Sequence, residues 1–132
     1  MSLKCPCHSG KAYAECCKPY HEGKLPENAL ALMRSRYAAY ALHLADYIIQ
    51  TTHPHNPAYT ADKQRWKQEI LAFSNATAFI GLTIHEFIDG PKEAYVTFTA
   101  FLKQQNQSAN RTEKSRFIKV NDRWLYESGQ MS

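Results

Sequence analysis

The chain has 132 residues, 44% hydrophobic and 21% charged, enough for one modest soluble domain with a real core and a short appendage. A formal charge of +4 is too small to argue for nucleic acid by itself, and no apolar run approaches the roughly 20 residues that span a bilayer. The opening MSLKCPC lacks the apolar stretch of a signal peptide, so a cytoplasmic location is the expectation.

All 4 cysteines fall within CPCHSGKAYAECC, residues 5–17. A disulfide framework staples distant segments, which this crowding cannot do, so the cluster points to metal. The predicted ligands of a structural zinc knuckle are Cys5, Cys7, Cys16 and Cys17, because thiolates in a closed tetrahedral set suit zinc. One residue between Cys5 and Cys7 lets a tight turn present both sulfurs, and Gly10 supplies the positive φ such a turn needs. Adjacent Cys16 and Cys17 converge only at a helix start or in a turn. His8 and His21 stand as alternative ligands, and free thiols or a vicinal disulfide are the competing states.

KPYHEGKLPEN, with Pro19, Gly23 and Pro26, reads as a linker into the main domain. From Glu27 to Gln50, Leu30, Met33, Tyr37, Tyr40, Leu44, Tyr47 and Ile48 recur at helical steps. Pro26 and Asn28 mark the start, Pro54 lies beyond the end, and the length predicts a break near His43. A second helix is predicted from Thr60, as N-cap, to Phe73, with Trp66, Ile70 and Phe73 inward. Then Phe79–Ile88, Glu93–Lys103, Thr112–Val120 and Trp124–Glu127 read as strands, rich in β-branched and aromatic residues. Asp89-Gly90-Pro91 and Asn121-Asp122 read as turns, and QQNQSAN as a longer hairpin loop. Helices followed by an antiparallel meander give an α+β layout, the helices covering one face of a curved sheet.

C5-P-C-H-S-G-K11 resembles the SEC-C motif of the bacterial preprotein-translocase motor, whose C-x-C-G-S-G-K core binds zinc; His8 stands where that motif usually has glycine. The whole chain resembles the YchJ family of bacterial proteins through CCKPYHEGKLPENALALMRSRYAAY, ADYIIQTTHP and EKSRFIKVNDRWLYESG. The resemblance implies a SEC-C knuckle over residues 1–24. It further implies a cone-like α+β domain over 25–132, similar to nuclear transport factor 2 and ketosteroid isomerase. It implies no particular activity.

Two functions of different kind follow as expectations. In the translocase motor the resembling motif contacts a chaperone and the ribosome. By analogy, Lys11, Tyr13, Lys18 and Tyr20, with Lys4, would dock a protein or ribonucleoprotein partner. Lysines interleaved with tyrosines also suit stacking on single-stranded nucleic acid, though no continuous basic stripe supports it. Alternatively, the cone binds a small molecule or acts on it as an enzyme in an apolar pocket, with Tyr37, Tyr40, Trp66 and Tyr95 as walls and Glu86 or Glu113 as the ionisable group for acid–base chemistry. Arg34 and Arg36 either tie the helix to the sheet by pairing with Glu113 or bind an anionic ligand, and the pairing is the expectation. Four protein ligands leave no open position on the metal, which argues against catalysis there. Cone-fold proteins often pair through the outer sheet face, so a homodimer is a further expectation.

Overall fold

Residues 3–131 are described by a computed structural model, so residues 1–2 and 132, the outer bounds of the two predicted units, lie outside the described residues. The N-terminal segment forms a small loop closed by an isolated bridge between Lys4 and Ala12, then a short 3-10 turn at Tyr13–Glu15 and helix α1, Lys18–His21. Three more helices follow: α2 (Ala29–Ala41), α3 (Ala45–Gln50) and α4 (Lys63–Ala76). Asn28 caps α2 through its side chain, which accepts from the Ala31 N–H at 2.8 Å. The expected break falls at Leu42–Leu44, where His43 takes φ 63° and the chain turns into α3. The second predicted helix starts and ends about three residues later than expected. Asp62 caps it by accepting from the Arg65 N–H at 3.1 Å, and Thr60 instead accepts from the Asp62 N–H at 3.2 Å. A carboxylate accepts more strongly than a hydroxyl at a helix start, which carries a partial positive charge.

Strands β1 (Ala78–Ile88), β2 (Glu93–Gln104), β4 (Arg111–Val120) and β5 (Arg123–Met131) form an antiparallel sheet in the order β1-β2-β4-β5. The segment expected as a longer loop is a tight turn: Gln105 and Asn106 take φ 53° and 63°, and β3 (Gln107–Ser108) pairs straight back onto β2. Two positive φ values match the twist of the flanking strands, so no longer loop is needed. Asn121 and Asp122, at φ 51° and 64°, make the same kind of turn between β4 and β5.

Along β2 the even positions Ala94, Val96, Phe98, Ala100 and Leu102 are buried and face the helices. They meet Leu32, Met33 and Tyr37 of α2 to form the main core, with Phe117 and Trp124 from β4 and β5. Ala39 joins Ile48, Ile49, Trp66 and Ile70 in a second cluster, and Ala38 lies among Cys5, Cys7 and Cys17 in a third. Helix α2 thus touches every layer of the molecule, which explains why its apolar residues wrap all round it rather than forming one stripe. Among the described residues, no helix is long and apolar enough to cross a membrane.

Candidate metal centre and the cone cavity

The sulfurs of Cys5, Cys7, Cys16 and Cys17 all lie within 4.8 Å of one another, and none forms a disulfide. Cys7 Sγ is 3.6 Å from Cys16 Sγ, which is 3.9 Å from Cys17 Sγ. A tetrahedron with metal–sulfur bonds of about 2.3 Å has edges of about 3.8 Å, so these separations fit four thiolates around one ion. A disulfide would need about 2.05 Å. The vicinal pair converges because Cys16 ends the 3-10 turn and Cys17 sits at the N-cap of α1.

Burial pushes the Cys5 thiol up to about 11, and the hydrogen bond with Cys7 raises Cys17 further still. Cys7 alone is held down to about 4, because the Cys17 thiol donates to it. Four sulfurs this close cannot all be thiolates unless a divalent ion offsets their repulsion. Some positive charge is already in place: Arg34 of α2 donates to the Cys7 carbonyl at 3.2 Å and lies 3.9 Å from its sulfur. Ser9 Oγ lies 3.2 Å from Cys16 Sγ.

Neither histidine enters the cluster. His8 does take the left-handed backbone that its place in the motif demands, at φ 62°, beside Gly10 at φ 89°. Its ring meets Tyr37 edge-on at 5.8 Å, and Nε2 donates to the Phe79 carbonyl at 3.4 Å. His21 Nε2 donates to the Ser35 carbonyl at 2.8 Å, which leaves Nδ1 to accept from the Tyr13 hydroxyl at 2.7 Å. Burial lowers its pKa, in keeping with this neutral form. Both imidazoles fasten the knuckle to the cone. Of the expected docking residues, Lys11 and Lys18 are exposed, while the tyrosines are engaged internally: Tyr13 on His21, and Tyr20 on Glu27 and Lys24.

Between the helices and the concave sheet face lies a cavity of about 380 Å³. Tyr37, Tyr40, Trp66 and Glu113 line it. Glu86 and Tyr95 do not. Two irregularities of register, at Phe79/Gly81 and Ile84/Glu86, shift the phase of β1 and leave both His85 and Glu86 exposed. Tyr95 lies at an odd position of β2, so it projects from the outer face, where it bonds Glu93 and lies under Lys114 at 5.0 Å.

At the cavity wall Glu113 is only 8% exposed, and its Oε2 accepts from Ser115 Oγ at 2.5 Å and from the Tyr126 hydroxyl at 2.8 Å. Gly129, opposite Ser115 on β5, leaves room for this arrangement; a Cβ there would collide with the Glu113 carboxylate and the Tyr126 hydroxyl. Arg36 is equally buried but does not pair with Glu113. Its Nη1 donates to the Ile48 carbonyl and to the hydroxyls of Thr51 and Thr52 at 3.1, 2.7 and 3.1 Å, and its plane lies 4.7 Å from the Tyr126 ring. Arg34 is committed to the knuckle. Burial, with the Glu113 charge added, raises the Tyr126 pKa, and burial pushes Tyr37 up to about 12. Tyr126 was missed by the sequence reading, although Trp124 and Tyr126 share a period-two phase that could have put both on the inner face.

Comparison with known proteins gives a consistent picture. A family model described as the YchJ middle NTF2-like domain matches residues 28–129, and a SEC-C motif model matches residues 1–19. A UPF0225 protein of Sodalis glossinidius is 38% identical over 98% of the chain and 84% of its own length. One from Deinococcus radiodurans is 41% identical over 92% and 85%. The solution structure of a SEC-C motif protein from Rhodopseudomonas palustris superposes with TM-score 0.81 at 30% identity, covering 100% of this chain and 99% of that one. An NTF-2-like protein from Shewanella oneidensis shares the fold at TM-score 0.57 and 16% identity, over 78% and 94%.

Proposed function

The chain belongs to the UPF0225 (YchJ) family, with a SEC-C motif joined to an NTF2-like domain, and from that premise we propose a small-molecule-binding cone braced by a structural zinc ion. The observation that carries the reading is the cavity itself: about 380 Å³, mostly apolar, with a buried carboxylate in its wall. Ligand pockets begin at about 300 Å³ and combine this kind of apolar lining with a few fixed polar groups. Cys5, Cys7, Cys16 and Cys17 would hold the zinc as a closed set, without an open position for water or substrate, so its part is architectural. The knuckle reaches the cavity wall directly, since His8 touches Tyr37 and Phe79, which both line it.

The test is ligand-observed NMR on the zinc-loaded chain with neutral aromatic fragments, repeated on Ala100→Leu, which fills space at the lining. Saturable binding to the wild type that is lost in the filled variant supports the reading; binding indifferent to the filling overturns it. Metal analysis tests the zinc, with about one ion per chain expected and a ratio near zero refuting it. A second reading, docking of a protein or ribonucleoprotein partner, is favoured by the exposure of Lys11 and Lys18 on the knuckle. Pull-downs with Lys11→Glu and Lys18→Glu test it, and identical partner profiles count against it.

A further inference from the structure

Resting on that reading of the cavity, we infer that its ligand is an organic ammonium: an apolar body carrying a positively charged nitrogen with N–H donors, recognised by the free oxygen of Glu113. The carboxylate is 8% exposed, and both donors that reach it, Ser115 and Tyr126, converge on Oε2. Among the described residues no donor meets Oε1, and no cationic side chain lies within ion-pair distance of Glu113. A desolvated carboxylate with half of its accepting capacity unused is a strong site for a cation.

The buried cation at the cavity wall does not fill that role. Arg36 spends Nη1 on three oxygen acceptors, with its Cζ 4.7 Å from the Tyr126 ring centroid. At the cavity edge Glu69 pairs with Arg65 at 3.4 Å, and Arg111 is exposed to solvent. The remaining walls are aromatic, with Tyr40, Trp66 and Phe73 on the helix side. Their ring faces carry negative potential and attract an ammonium, most strongly where water is excluded. An anionic ligand would meet the opposite condition at this wall, since it would face the Glu113 carboxylate.

The experiment titrates the zinc-loaded full chain with three probes of like shape: phenethylammonium, 2-phenylethanol and 3-phenylpropionate. Binding is followed by chemical-shift perturbation of backbone amides in β4 and β5. The ammonium is expected to bind about tenfold or more tightly than the alcohol, the margin of one charge-assisted hydrogen bond, and more tightly still than the carboxylate. Glu113→Gln should remove that margin while leaving the alcohol's affinity within about twofold. The substitution keeps an oxygen for Ser115 and Tyr126; should it fail to fold, the wild-type ranking decides alone. Preference for the carboxylate, or equal affinity for all three, overturns the ammonium assignment and leaves the cavity reading standing. Failure of all three probes to bind overturns both.

Discussion

Removal of the metal should unfold the knuckle and leave the cone folded but weaker. Between residues 3 and 17 the backbone has few internal ties, notably the Cys5 N–H to Lys11 carbonyl and Tyr13 N–H to Leu3 carbonyl bonds, both 2.8 Å. The buried side chains of that stretch are Cys5, Cys7 and Cys17, so a bound zinc ion would supply nearly all its folding energy, on the order of 10–16 kcal/mol for a structural zinc site. Once the loop opens, α2 loses the Arg34 bond to the Cys7 carbonyl, and the His8 contacts with Tyr37 and Phe79 disappear. The charged bond is worth about 1.5 kcal/mol and the aromatic edge contact about 0.5. Exposure of Ala38 and loosening of the His21–Ser35 bond bring the loss to about 3 kcal/mol. For a domain of this size that lowers Tm by about 10 °C. Thermal melts with and without a strong chelator, and of Cys7→Ser, measure it, and amide exchange at Cys5 and Tyr13 reports the knuckle separately. A metal-free chain melting within about 2 °C of the loaded form, or keeping those amides protected, would refute the reasoning.

Arg36→Met should cost about 3 kcal/mol in urea unfolding, because three oxygen acceptors lose a charged donor inside the fold; a cost under about 1 kcal/mol counts against it. Gly129→Ala should destabilise by about 1–2 kcal/mol, since the Glu113 carboxylate must swing away from Ser115 and Tyr126 to admit a methyl group. Its urea midpoint should fall, and an unchanged midpoint would show that the wall has room. Tyr37 holds its proton more tightly folded, at about 12, than unfolded, near 10. The stability it contributes is therefore complete below pH 10 and is lost as pH rises from 10 towards 12. Tyr37→Phe should flatten the loss of stability across that window, measured by urea midpoints at stepped pH.

The cysteine cluster was legible because its signal is local: four cysteines in thirteen residues whose spacing already limits where their sulfurs point. The helix break at His43 and the strand order were legible for a similar reason, since periodicity and turn residues act over a few positions. The misses come from phase and from distance. Glu86 was offered for the cavity because its strand was read as regular, but the register shift between Ile84 and Glu86 leaves it outside. Tyr95 was drawn inward by its aromatic type, although Ala94, Val96 and Phe98 already marked the even positions as the buried ones. His8 looked like a mismatch to its motif. Its ring lies against Tyr37 and bonds Phe79, contacts 29 and 71 residues away that no spacing rule reaches.

The two arginines of α2 show how far helical geometry alone carries the functional argument. Residues two apart on an α-helix point about 200° away from each other, so Arg34 and Arg36 cannot both serve one carboxylate. The structure uses that divergence: Arg34 reaches the Cys7 carbonyl and sulfur on one side, and Arg36 reaches Thr51, Thr52 and the Tyr126 ring on the other. One charge is therefore spent on the cysteine cluster and the other on the loop and strand that close the cavity wall. Glu113 receives no cation from α2, because the helix faces both of its arginines elsewhere.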